Sequence, residues 1–81
     1  MLTQQDVEKD IVSFMQQQGP VIPVKIAKHM ETDIMLASAM LSELSSRGIV
    51  KVSFIKVGGT PVYYLPEQNH RLVEYVDNLN E

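Results

Sequence analysis

A chain of 81 residues, 44% hydrophobic and 21% charged, has room for one core and no second domain, and its composition excludes both wholesale disorder and a membrane protein. The absence of cysteine removes disulfide staples, thiolate metal sites and thiol nucleophiles. A formal net charge of -3 argues against an indiscriminate polyanion binder.

Thr3 followed by Asp6 reads as a helix start, with the hydroxyl accepting a free backbone N–H and the carboxylate near the positive helix end. Val7, Ile11, Phe14 and Met15 recur at three- and four-residue spacing up to Gly19-Pro20, so a first helix is expected over about residues 4 to 18. Pro23 suits the first turn of a short second helix, because its missing N–H would lack a partner there in any case. Val24, Ile26, Ala27 and Met30 form its apolar side, and Lys25, Lys28 and His29 its polar side. Thr32 or Asp33 caps a third helix over about residues 33 to 47, with Ile34, Ala37, Met40, Leu41 and Leu44 as its buried stripe. Arg47 suits the negative helix end, and Gly48 the left-handed residue that closes it.

The period then changes. Residues Ile49 to Val57 are rich in β-branched side chains, and Gly58-Gly59 supplies the positive φ angles of a two-residue hairpin turn to a partner strand, Thr60 to Leu65. Counting outward from that turn pairs Val57 with Thr60, Ile55 with Val62, Phe54 with Tyr63 and Val52 with Leu65. This register puts Val52, Phe54, Tyr63 and Leu65 on the core face, with Ser53, Ile55, Val62 and Tyr64 on the other. Pro66 ends the strand. A last amphipathic helix is expected from Glu67 to about Leu79, with Leu72, Val73, Val76 and Leu79 as a stripe that suits a homodimer contact.

Two helices joined by a tight turn have the organisation of a helix-turn-helix, and the hairpin follows directly. The stretch Leu41-Ser42-Glu43-Leu44-Ser45-Ser46-Arg47-Gly48-Ile49-Val50 resembles the end of the recognition helix in MarR-like and related prokaryotic winged-helix regulators. There a leucine, a few polar residues, a glycine and an aliphatic pair lead into the wing. The resemblance implies an α+β winged helix over residues 1–81, with the helix-turn-helix at about 23–47, the wing at about 49–65 and a C-terminal helix at about 67–79. It also implies that double-stranded DNA is the partner and that the early exposed turns of the third helix enter its groove.

Carried onto this chain, the groove-facing positions are Met35, Leu36, Ser38, Ala39 and Ser42, and Thr32 just ahead of the helix joins them as a DNA-binding residue. Lys25 and Lys28 on helix two and Lys56 beside the wing tip are placed for phosphate. Of the positions on the helix itself only Ser38 and Ser42 are polar, and no arginine stands ready for a bidentate contact with guanine, so modest sequence specificity is expected. The charge pattern agrees. Lys25, Lys28, Arg47, Lys51 and Lys56 outnumber Glu31, Asp33 and Glu43 in the middle of the chain, while Asp6, Glu8 and Asp10 before them and Glu67, Glu74, Asp77 and Glu81 after them make the ends acidic.

An enzyme is not expected. No nucleophile elbow or phosphate-binding loop is present, and a domain of this size has little volume for a cleft. His29 and His70 lack companions at metal-ligand spacing, so neither metal nor cofactor is anticipated. No apolar run nears the roughly 18 residues that span a bilayer, and the N-terminus lacks a basic segment followed by an apolar one. The cytoplasm is therefore the expected compartment. Two functions fit: a DNA-binding regulator of transcription, or a protein-interaction module whose apolar helix-three face docks a partner within a larger assembly.

Overall fold

A computed structural model describes residues 3–71. Helix α1 spans Gln4–Gln18, α2 Pro23–Met30 and α3 Ile34–Ser46; strands β1, Lys51–Val57, and β2, Thr60–Tyr64, form an antiparallel hairpin, and a 3-10 helix covers Pro66–Arg71. Three helices followed by a hairpin is the α+β winged-helix order.

The helix boundaries follow from their caps. Thr3 Oγ1 accepts the Asp6 N–H at 3.1 Å and the Asp6 carboxylate accepts the Thr3 N–H at 3.2 Å, a reciprocal capping box. Pro23 opens α2. Asp33, not Thr32, caps α3, its carboxylate accepting the Leu36 N–H at 2.8 Å. Helix α3 closes through Gly48 at φ 78°, which lets the Ile49 N–H reach the Leu44 carbonyl at 3.0 Å. Helix α2 closes in the same way without a glycine. Glu31 adopts φ 55° and the Thr32 N–H reaches the Ala27 carbonyl at 2.9 Å, so the turn between the two helices holds a residue type that seldom occupies the left-handed region.

The core joins Ile11 and Met15 of α1, Ile26 and Ala27 of α2, and Ala37, Leu41 and Leu44 of α3 with Val21, Val50, Tyr63 and Leu65. Val21 forms an isolated bridge to Tyr63, each N–H donating to the other's carbonyl at 2.8 Å, so the segment ahead of α2 acts as a third strand beside β2. Ile34, expected in the buried stripe of α3, is 50% exposed. It is the first residue of the helix, and burial against α2 starts one turn later, at Ala37.

The hairpin departs from the expected register. Val57 does pair with Thr60 across Gly58 and Gly59, which have φ 60° and 83°, but Val52 stands opposite Tyr63 and Lys56 opposite Pro61. Ser53, Phe54 and Ile55 together therefore face Val62 alone. This bulge overturns the expected core face of β1: Phe54 is 94% exposed and Val52 50%, whereas Ser53 is buried. One-for-one counting from the turn fails because the extra residues break the alternation. The buried Ser53 hydroxyl accepts the Ile55 N–H at 2.9 Å, satisfying an amide that the bulge withdraws from the ladder. Strand β2 keeps its expected alternation. Tyr63 and Leu65 enter the main core, while Val62 anchors a second cluster with Ile22, Ile55, Val57 and Tyr64.

Beyond β2, Gln68 fastens the chain to α1. Its Nε2 donates to the Met15 carbonyl at 2.8 Å and its Oε1 accepts the Leu65 N–H at 3.0 Å, both buried. Pro66–Arg71 is a 3-10 rather than an α-helix. The rest of the expected terminal helix, with Leu72, Val73, Val76, Leu79 and their dimer contact, lies outside the described residues. Gln68→Ala should lower the unfolding free energy by about 1–3 kcal/mol, because it strands the buried Leu65 amide and removes a buried bond to the Met15 carbonyl, which keeps only the Gly19 N–H. Phe54→Ala should change it by less than about 0.5 kcal/mol. Urea unfolding of the two variants checks both, and a large loss at Phe54 would contradict the bulge.

Candidate nucleic-acid interface

Packing α2 on α3 through Ile26, Ala27, Ala37 and Leu41 turns the opposite side of α3 outward. Met35, Ala39 and Ser42 are exposed there, Met35 at 85%, while Ser38 is half-buried and Thr32 lies half-buried in the turn ahead of the helix. These side chains are short or apolar. Leu36, also expected from the sequence to face a groove, is 50% exposed, and the Asp33 cap occupies its backbone N–H.

The cations divide into two groups. Arg47, counted in the basic excess, is held within the protein: Nη2 lies 3.1 Å from Glu8 Oε2 and Nε 3.4 Å from Glu43 Oε1, tying the end of α3 to α1. It therefore leaves the set of groups free to meet an external anion. His29 is also engaged. Its Nε2 lies 3.1 Å from Asp10 Oδ2 and its ring stacks on Phe14 with centroids 4.0 Å apart, joining α2 to α1. Lys28, Lys51 and Lys56, by contrast, are exposed and carry no ion pair among the described residues. Lys25 is half-buried and lines a shallow open groove with Lys28, His29, Phe14 and Gln18.

Of the sequence-expected site, the structure thus presents Lys28, Met35, Ala39, Ser42 and Lys56 to solvent, Lys25, Thr32 and Ser38 in part. The sequence reading missed the internal roles of Arg47 and His29. The only sign of the first was the i,i+4 spacing of Glu43 and Arg47; Glu8 and Asp10 are remote in sequence and left none. Among the described residues no three His, Cys, Asp or Glu side chains gather as they would around a metal ion. Nor is any described helix long and apolar enough to cross a membrane.

The fold is a winged helix. Comparison with solved structures finds a match in the Zα domain of PKZ from Carassius auratus, crystallised in complex with Z-DNA. The identity is 29% and the TM-score 0.68, over 76% of this chain and 95% of that one. No protein-family model matches the sequence, and no curated protein matches it.

Arg47→Met should lower the unfolding free energy by about 0.2–1 kcal/mol, the range of exposed ion pairs, since 43% of the arginine side chain remains accessible. The loss should shrink in high salt, which screens the pair. Urea unfolding at two salt concentrations measures both effects.

Proposed function

We propose that the chain is a DNA-binding winged-helix module that holds duplex mainly through its phosphate backbone and shape, with modest reading of sequence. The observation that carries this is the likeness, at 29% identity and a TM-score of 0.68, to a domain crystallised on Z-DNA. The exposed lysines support it as phosphate contacts, and the exposed stripe Met35, Ala39 and Ser42 supports the modest specificity, having a single hydroxyl to offer base edges. Left-handed duplex is accordingly the first DNA form to try. Regulation of transcription is the role to which we extend the reading, in line with the resemblance of residues 41–50 to MarR-like regulators.

One observation favours a second reading. Ile34, Met35 and Leu36 form a run of exposed apolar residues at the start of α3, the kind of surface that docks a protein partner. Salt separates the two, because phosphate contacts weaken steeply with salt and an apolar interface does not.

Titration of an alternating dC-dG duplex should show affinity falling with salt. Replacing Lys25, Lys28 and Lys56 together with alanine should reduce the slope of log affinity against log salt by up to about 3, nearly one for each phosphate no longer neutralised. Binding of the left-handed form should appear as inversion of the duplex circular-dichroism spectrum. An undetectable affinity at low salt, or a triple variant that binds as tightly as the parent, would sink the DNA reading. Sensitivity at Met35 and Leu36 with indifferent lysines would favour the protein partner.

A further inference from the structure

The β1 bulge has the construction of a device that turns one aromatic side chain outward. Three residues of β1 face Val62 alone, Ser53 is buried beneath them with its hydroxyl on the Ile55 amide, and Phe54 projects with 94% of its surface exposed. Bulges commonly re-aim a side chain beside a functional site. Here the result is costly to the free protein, since a phenylalanine that ordinary alternation would have sheltered stands in water.

The surroundings of Phe54 indicate what covers it. From Ile49 to Pro66 the chain carries Lys51 and Lys56 and no carboxylate, although its total charge is -3. Both lysines are exposed and carry no ion pair among the described residues. An exposed apolar ring on a strand whose only charged side chains are two lysines matches a ligand that alternates flat apolar groups with negative charges, which is the chemistry of a nucleic-acid strand. A purely apolar protein surface would leave the two lysines desolvated and unpaired.

We propose that Phe54 is a nucleobase-contacting residue of the wing, stacking on a base of the bound DNA or wedging between two, while Lys51 and Lys56 hold the flanking phosphates. The inference rests on the DNA-binding reading above and adds to it an aromatic contact that phosphate binding alone does not require. Apolar wedges of this kind unstack a base step at the edge of a protein's footprint.

The chain has no tryptophan, so Phe54→Trp places a single tryptophan, excited selectively over the tyrosines, at the proposed contact. On titration with alternating dC-dG duplex, this variant should bind about as tightly as the parent and its emission should be quenched by the stacked base. Phe54→Ala should weaken binding by about 5- to 150-fold at every salt concentration, the range of a single base–aromatic stack. The slope against salt should stay unchanged, because a neutral side chain releases no counterion. Both variants should keep the parent's unfolding transition, since the position is exposed. Unquenched emission from Phe54→Trp while the duplex is bound, or Phe54→Ala binding within twofold of the parent, overturns the proposal and leaves phosphate binding standing. A parent that fails to bind duplex even at low salt overturns the functional reading and this inference together.

Discussion

Tyr63 is the residue through which the helices and the wing are tied into one structure. Its N–H and carbonyl both pair with Val21 at 2.8 Å, on its other side it stands opposite Val52, and its ring lies in the core among residues of all three helices. A two-stranded hairpin is marginal in water by itself. Pairing with the segment that leads into α2, and burial of Tyr63 and Leu65, supply what it lacks. Gln68 then secures the exit from β2 to the end of α1. Weakening the Val21–Tyr63 bridge would loosen the wing and the entry to α2 at once.

Because the inward faces are taken up by that core, the outward groups define what the protein can offer a partner. Two basic side chains work inside the structure, Arg47 between Glu8 and Glu43, and His29 between Asp10 and Phe14. Glu8 of α1 is thereby paired with Arg47 at the end of α3, and the exposed Lys28, Lys51 and Lys56 carry no ion pair among the described residues. This arrangement allows a chain of net charge -3 to present cationic surface locally. The small side chains along α3, Ala39 and Ser42, would let the proposed duplex approach closely while providing little to distinguish one base from another, as recognition by shape requires.

Much of the fold was legible in the sequence because its signals are local. Thr3 with Asp6, Pro23, Gly48 and the pair Gly58-Gly59 each act within a few residues, and all mark real boundaries. The spacing of Ile11, Met15, Ile26, Leu41 and Leu44 likewise identified the buried helix faces. What escaped was non-local or conformational. The bulge depends on which residues of two strands face each other, and nothing in Val52-Ser53-Phe54-Ile55 shows that three residues will share one partner. Glu31 occupies a left-handed position that sequence patterns assign to glycine. The candidate site was legible as a set of positions on α2, α3 and the wing, but Arg47 was misassigned, because its engagement depends on Glu8, far away in the chain.

We propose that the exposed side of α3, Lys28 and the bulged wing together form one nucleic-acid-binding surface. Backbone amide shifts recorded during titration with alternating dC-dG duplex test it most directly. Saturable changes are expected at Lys28, Met35, Ala39, Ser42, Phe54 and Lys56, with the amides of α1 from Gln5 to Ser13 left in place. Changes concentrated on α1, or an unchanged spectrum at low salt with duplex in excess, would contradict it.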